Sequence, residues 1–229
     1  MKKFFIFASI FFLASADDEY ATNFIADMKW NSKFVKYGLA GGNVDELRAL
    51  VQFTLDKFKN VFGTLITWEE DTDLNHLAKY DRYVLFSLAK HGCGTAFPGN
   101  YGPSMIVLAR QPCSVDIGMA QILKVLGFTT VHKRADRDHH IRILWDNIPP
   151  TLVPYYEKFA PLMNTTKIEF KTYDLCSVLH PPAYTYYAYD VNKPIFEPID
   201  ISKMECVNGT KNDRKVSNND IAQFKAMYS

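Results

Sequence analysis

The 229-residue sequence has no Cys-x-x-Cys pair, no block of basic residues, no internal repeat and no low-complexity linker. The first absence disfavours a zinc knuckle. The second removes any electrostatic case for nucleic acid or an anionic membrane, since 26 Lys and Arg face 25 Asp and Glu. With no linker or repeat to divide it, the chain beyond its leader reads as one domain. Beyond residue 16 no apolar run is long enough to span a bilayer. The most consequential absence is local: from Ser114 to Val131 there is neither a His nor a Glu.

What is present begins with "MKKFFIFASIFFLASA". Two lysines, an apolar run from Phe4 to Leu13 and the small residues Ala14, Ser15 and Ala16 read as a signal peptide cleaved after Ala16. Removing Lys2 and Lys3 leaves 24 basic against 25 acidic residues. The expected localisation is secreted and extracellular. Four cysteines (Cys93, Cys113, Cys176, Cys206) in an oxidising compartment imply two disulfides, with three pairings open. Asn164 in "NTT" and Asn208 in "NGT" are glycosylation sequons.

Periodicity supplies the elements. "NVDELRALVQFTLDKFKNVF" opens with Asn43 as cap and Glu46 three residues on, as in a capping box. It then places Leu47, Leu50, Val51, Leu55, Phe58 and Phe62 on one helical face. "YDRYVLFSLAK" and "SMIVLARQ" read as strands. "DIGMAQILKVLG" reads as a second long helix, apolar at Ile117, Leu123 and Leu126 and stopped at Gly127. "KIEFKTY" is the clearest later strand, and "PAYTYYAY" reads as a strand alternating core and surface tyrosines (Tyr184, Tyr186, Tyr187, Tyr189). "SNNDIAQFKAMYS" closes the chain as a helix capped by Ser217 or Asn218. The fold class is α+β.

Gly127 and Phe128, followed by "RADRD" at 134–138, resemble the end of the astacin signature HExxHxxGFxHExxRxDRD, a metzincin zinc-endopeptidase pattern. In that pattern two His, one helical turn apart, bind zinc with a third His, and the Glu activates a zinc-bound water. The resemblance runs on through Lys29–Trp30, "KFVKY" at 33–37, "ILWDNIPP", "SVLHPP" in the place of the Met-turn, and "VSNNDIAQFKAMY". It implies a twisted mixed sheet with two long helices above a cleft, and an irregular C-terminal half ending in a helix. It also implies a Cys93–Cys113 disulfide and leaves Cys176 and Cys206 to bridge each other. Of the family's other bridge, Leu65 holds the first place, and the chain stops at Ser229 before the second.

Carried onto this sequence, the three zinc ligands fall on Ala120, Lys124 and Thr130, and the base falls on Gln121. No shift of register restores them. The Met-turn becomes Leu179–His180, the Tyr after it becomes Pro181, and the Glu that would hold a mature N-terminus becomes Val131. Only Asp17–Met28 separates the leader from the expected domain start, which implies an astacin-like domain over 17–229 with no pro-segment. A substitute metal site from His132, Asp136, Asp138, His139 and His140 is disfavoured, because the two aspartates belong to the frame of the tail. His180 reads as a hydrogen-bonded structural residue.

The expectation is therefore a secreted, catalytically inactive astacin-like protein, a pseudoprotease without a zinc cofactor. It would bind an extracellular peptide or protein, and neither nucleic acid nor membrane, through an edge strand comprising Ser104, Met105, Ile106, Val107, Leu108 and Ala109. The alternatives are an active zinc metalloendopeptidase with an unorthodox site and a structural glycoprotein with no cleft ligand.

Overall fold

In the computed structural model, residues 24–90, 93–99, 102–109, 113–158, 172–208 and 214–229 are described. Asn164 and most of "KIEFKTY" lie outside them; its last two residues, Thr172 and Tyr173, are not in a strand.

Helix α1 (Val44–Phe62) buries Leu47, Val51, Thr54, Phe58 and Phe62, while Leu50 and Leu55 pack half-buried beside them. At its start Asn43 Oδ1 accepts from Glu46 N at 3.5 Å, and Asn43 Nδ2 donates to the Glu46 carboxylate at 2.6 Å. This helix crosses between β1 (Phe34–Leu39) and β2 (Thr67–Glu70), which pair in parallel. β3 (Arg82–Leu88) and β5 (Gly102–Leu108) continue the parallel sheet, and β4 (Thr95–Phe97) adds an antiparallel strand, in the order β2-β1-β3-β5-β4. In β5 the burial alternates: Ser104, Ile106 and Leu108 face the core, while Met105 is exposed.

The expected edge strand needs correction. Met105, Ile106 and Val107 of β5 are paired on both sides, with β3 and with Phe97, Ala96 and Thr95 of β4. The free edge belongs to β4. Its three residues sit in a glycine-rich stretch and carry no alternation long enough to read. Gly94 makes the approach possible: at φ +79°, a Cβ there would lie 2.2 Å from Val107 O.

Between β2 and β3 lies the single-turn helix α2 (Leu74–Leu77). Helix α3 (Val115–Val125) follows the Cys93–Cys113 disulfide and is capped by Ser114, whose hydroxyl accepts from Asp116 N. It ends in a Schellman turn, with Gly127 N bonding Lys124 O and Phe128 N bonding Leu123 O. The carbonyls left over at its end find side-chain donors. Trp30 Nε1 and Arg82 Nη2 reach Val125 O, and Tyr228 Oη reaches Leu126 O. Phe24 bridges to Phe128, and Ile25 N donates to Gly127 O, so residues 24–28 already pack against the domain ahead of the Lys29–Trp30 start.

The second half holds a two-stranded sheet, β6 (Ile141–Ile143) with β7 (Phe196–Pro198), and the short helices α4 (Val153–Tyr156) and α5 (Met204–Val207). Cys176 bridges Cys206, and exposed Asn208 stands at the end of α5. Residues 182–189 are not the expected strand. Thr185 folds them into a turn, its hydroxyl accepting from Tyr187 N and its carbonyl from Ala188 N; Tyr186, Tyr187 and Tyr189 are all exposed. Helix α6 (Asn218–Tyr228) carries a capping box between Ser217 and Asp220 and returns to the first half. There Phe224 lies 5.1 Å from Phe62 and 5.4 Å from Phe58.

The turn at Gly127 is a close junction between the end of α3 and residues 24–28. At φ +102°, a Cβ there would sit 3.1 Å from the Phe24 ring and 3.2 Å from Ile25 O. Gly127→Ala is expected to lower the unfolding free energy by about 1–3 kcal/mol. Gly42→Ala, with open space around it, serves as control. Equal urea midpoints for the two variants would show that the turn is not constrained.

Candidate functional site

The floor of the candidate site is built by α3, the turn after it and the segment from Tyr173 to Pro181. Ala120 is buried. Gln121, also buried, turns back onto its own helix: Nε2 donates to Ile117 O at 3.2 Å, and Oε1 accepts from Lys124 Nζ at 3.4 Å. Lys124 and Thr130 are half-buried. Val131 is buried and its N–H reaches Leu179 O at 3.3 Å, which joins the turn after α3 to the Leu179–His180 turn. Leu179 lies in the core and Pro181 is half-buried.

Two imidazoles occupy the interior beside this floor. His132 is 0% exposed and donates from Nε2 to Tyr155 O at 2.9 Å. Its Nδ1 has no hydrogen-bond partner among the described residues. His180 is 1% exposed; Nδ1 donates to Pro181 O at 2.9 Å, and Nε2 accepts from Tyr173 Oη at 3.1 Å. The rings are 6.3 Å apart, and those of Tyr155 and Tyr156 lie 5.0 and 5.3 Å from His132. Burial is the main reason both imidazoles stay neutral. It pushes His132 down to about 3, with Lys133, Arg137 and Lys124 adding repulsion, and holds His180 well below its ordinary value.

Around the imidazoles runs the charged tail. Arg134, 1% exposed, grips Asp136 with two hydrogen bonds of 2.9 and 2.7 Å and donates to Thr172 O at 3.0 Å. Arg137 donates to His132 O, Tyr156 O and Asp138, and Lys158 pairs with Asp138 at 2.9 Å. Asp220 of α6 accepts from Ser177 Oγ and Val178 N, fixing the Leu179 turn from the other side.

The structure thus gathers Ala120, Gln121, Lys124, Thr130, Leu179, His180 and Pro181 around one floor. Of the substitute metal site's residues it brings His140 Nε2 within 3.7 Å of Asp136 Oδ2 but does not assemble a ligand set from them. Asp136 and Asp138 are held by arginines, His139 is exposed, and His140 stacks on Tyr173 at 4.4 Å. No group of three or more His, Cys, Asp or Glu that could hold a metal occurs among the described residues. Sequence reasoning missed the tyrosines that enclose the imidazoles. "YY" at 155–156 was the available signal, but its neighbour Pro154 reads as loop. A groove of about 860 Å³ lies elsewhere, lined by Trp30, Phe34, Tyr80 and Arg82 at the amino ends of β1 and β3.

The profile of the astacin peptidase family matches residues 23–229. The chain belongs to the astacin family. Bone morphogenetic protein 1 of Xenopus laevis is 25% identical over 205 residues, which cover 87% of this chain and 27% of that protein. Zinc metalloproteinase nas-9 of Caenorhabditis elegans is 30% identical over 139 residues, covering 59% of this chain and 24% of that protein. The chain therefore spans about a quarter of the length of these curated relatives. High choriolytic enzyme 1, a hatching enzyme zinc-protease from Oryzias latipes, superposes with a TM-score of 0.66 at 20% identity, covering 87% of this chain and 92% of that one. This chain has the expected α+β astacin fold.

The two buried imidazoles are expected to make this astacin-family domain acid-sensitive. A neutral His whose folded pKa lies below its unfolded value of 6.5 contributes stability above pH 6.5, and that contribution is lost as pH falls. For His132 the loss extends down to about 3. Each residue adds up to about 1.4 kcal/mol per pH unit within its window. Urea unfolding between pH 7 and 5 is expected to show this slope, and His132→Phe should reduce it by about the share of one proton. An unchanged slope in that variant would mean that His132 is protonated in the folded protein.

Proposed function

We propose that this astacin-family protein is a secreted pseudoprotease, which hydrolyses no peptide bond and binds a peptide or protein partner along the former substrate cleft. The observation that carries the reading is the hydrogen-bonding of Gln121. In the place of the base stands a buried amide, already satisfied by Ile117 O and the Lys124 ammonium. A neutral amide takes up no proton at neutral pH. The neighbouring positions do not fit zinc either: Ala120 offers no donor atom, Thr130 offers only a hydroxyl, and Lys124 brings a cation that repels a divalent metal. Pro181 removes the phenol that could stabilise an oxyanion.

Binding needs none of these groups. The free edge of β4 can pair with an extended chain through backbone hydrogen bonds alone, with Phe97, 58% exposed, and Met105 beside it. Secretion is supported by the leader-like N-terminus, by the two disulfides and by the exposed sequon residue Asn208. No helix among the described residues is long and apolar enough to cross a membrane.

The purified protein is expected to carry no stoichiometric zinc and to cleave a casein substrate no faster than buffer. Combining Ala120→His, Lys124→His and Thr130→His is expected to create zinc affinity without hydrolysis, which should require Gln121→Glu as well. A native protein with about one zinc per chain, whose casein cleavage disappears on chelation, would establish instead the working endopeptidase that the names of the relatives suggest.

A further inference from the structure

We propose that Tyr186 and Tyr187 form an oxidative cross-linking site, at which a one-electron oxidant joins the two phenols of one chain into a dityrosine. Consecutive side chains of a strand point to opposite faces. The turn at Thr185 instead sets these two neighbours side by side. Their ring centroids are 4.1 Å apart, closer than the ~4.5–7 Å of ordinary aromatic pairs. Tyr186 Oη donates to Tyr187 Oη at 3.0 Å, which brings the ring carbons beside the two hydroxyls against each other. Tyr186 is 77% exposed and Tyr187 58%, so both rings are open to an oxidant in solution.

The backbone beneath the pair is anchored on both sides. Ahead of it, buried Ala183 donates to Val207 O and accepts from Ile195 N, each at 2.8 Å. Beyond it, Tyr189 N donates to Asn147 O at 3.2 Å, and Asp190 N to Asn147 Oδ1 at 2.7 Å. Among the described residues, Tyr155 and Tyr156 make the other tyrosine ring pair, and they differ in each respect. Those rings meet edge-on at 5.0 Å, and Tyr156 is buried.

In the proposed step each phenol gives up one electron and one proton. The two phenoxyl radicals share their unpaired electrons with the ring carbons beside oxygen. A carbon–carbon bond forms between two of these carbons, and the hydrogens they carried pass to the oxygens, restoring both phenols. The chain thereby loses two hydrogen atoms. Hydrogen peroxide, acting through a haem peroxidase, takes them up and leaves as two waters. Holding the partners in contact makes the coupling unimolecular, so it outpaces the encounter of two separate chains. The product staples an exposed turn, and its formation does not depend on what the cleft binds.

Treating the purified protein with a haem peroxidase and hydrogen peroxide tests this, with dityrosine fluorescence, denaturing gels and peptide masses as readouts. The expected product is a monomer in which the peptide carrying Tyr186 and Tyr187 has lost two hydrogens. Its yield per chain should stay constant on dilution. Tyr186→Phe and Tyr187→Phe should each abolish it, and because both rings are exposed neither change disturbs the core. Tyr189→Phe, at a phenol 66% exposed, should leave the product intact. Fluorescence confined to dimers, a yield that falls on dilution, or a product that survives Tyr186→Phe would overturn the proposal. So would loss of the product in Tyr189→Phe, or no cross-link at all in the native chain.

Discussion

The grip of Arg134 on Asp136 is the contact on which the site depends. Its guanidinium is almost completely buried, spends two bonds on one carboxylate and a third on Thr172 O, and lies 5.4 Å from the centre of the Tyr173 ring. Such a pair does little for net stability against an apolar alternative. Removing one partner, however, strands the other charge at a cost of about 3–5 kcal/mol. The pair therefore works as a constraint on geometry. It fixes where the chain goes after α3 and Gly127, and with Arg137 it ties that exit to Tyr156 and the short helix α4.

Everything that lines the floor follows from this frame. The chain past Gly127 is held by arginine–carboxylate and arginine–carbonyl bonds, and the turn carrying Thr130 and Val131 is tied to Leu179 by a backbone hydrogen bond. The interior next to it is filled by His132, His180 and three tyrosines, bonded to carbonyls and to each other. On the proposed pseudoprotease reading, a floor supported in this way keeps its fold when the ligand positions change. On α3, Ala120 packs into the core, Gln121 closes on its own helix, and half-buried Lys124 donates to the Gln121 amide.

Much of this was legible in the sequence, and the limits have physical causes. The 3.6-residue period of "LRALVQFTLDKFKNVF" and the Gly127 stop locate both long helices, because burial on one face imposes that spacing. The tail "RADRD" and Gly127–Phe128 announce the family, and the pairing of Cys93 with Cys113 and of Cys176 with Cys206 follows the resemblance. Strand β4 was not legible: three residues carry no period, and what defines them is a long-range pairing to Met105, Ile106 and Val107. The turn at Thr185 was misread because closely spaced tyrosines imitate a strand, while a hydrogen bond that the threonine hydroxyl accepts from Tyr187 N decides otherwise. His132 gives no sign of its burial in a stretch where Val131 is apolar and Lys133 charged; only the tertiary packing of Tyr155 and Tyr156 over it does.

The central claim is that side chains, without a metal, hold the floor together. Thermal unfolding of the native protein, measured by near-ultraviolet circular dichroism in excess chelator and in excess zinc, tests this most directly. A ligand that binds only the folded state must raise the midpoint. The structure predicts the same midpoint in both conditions. A midpoint several degrees lower in chelator, restored by adding one equivalent of zinc, would contradict it.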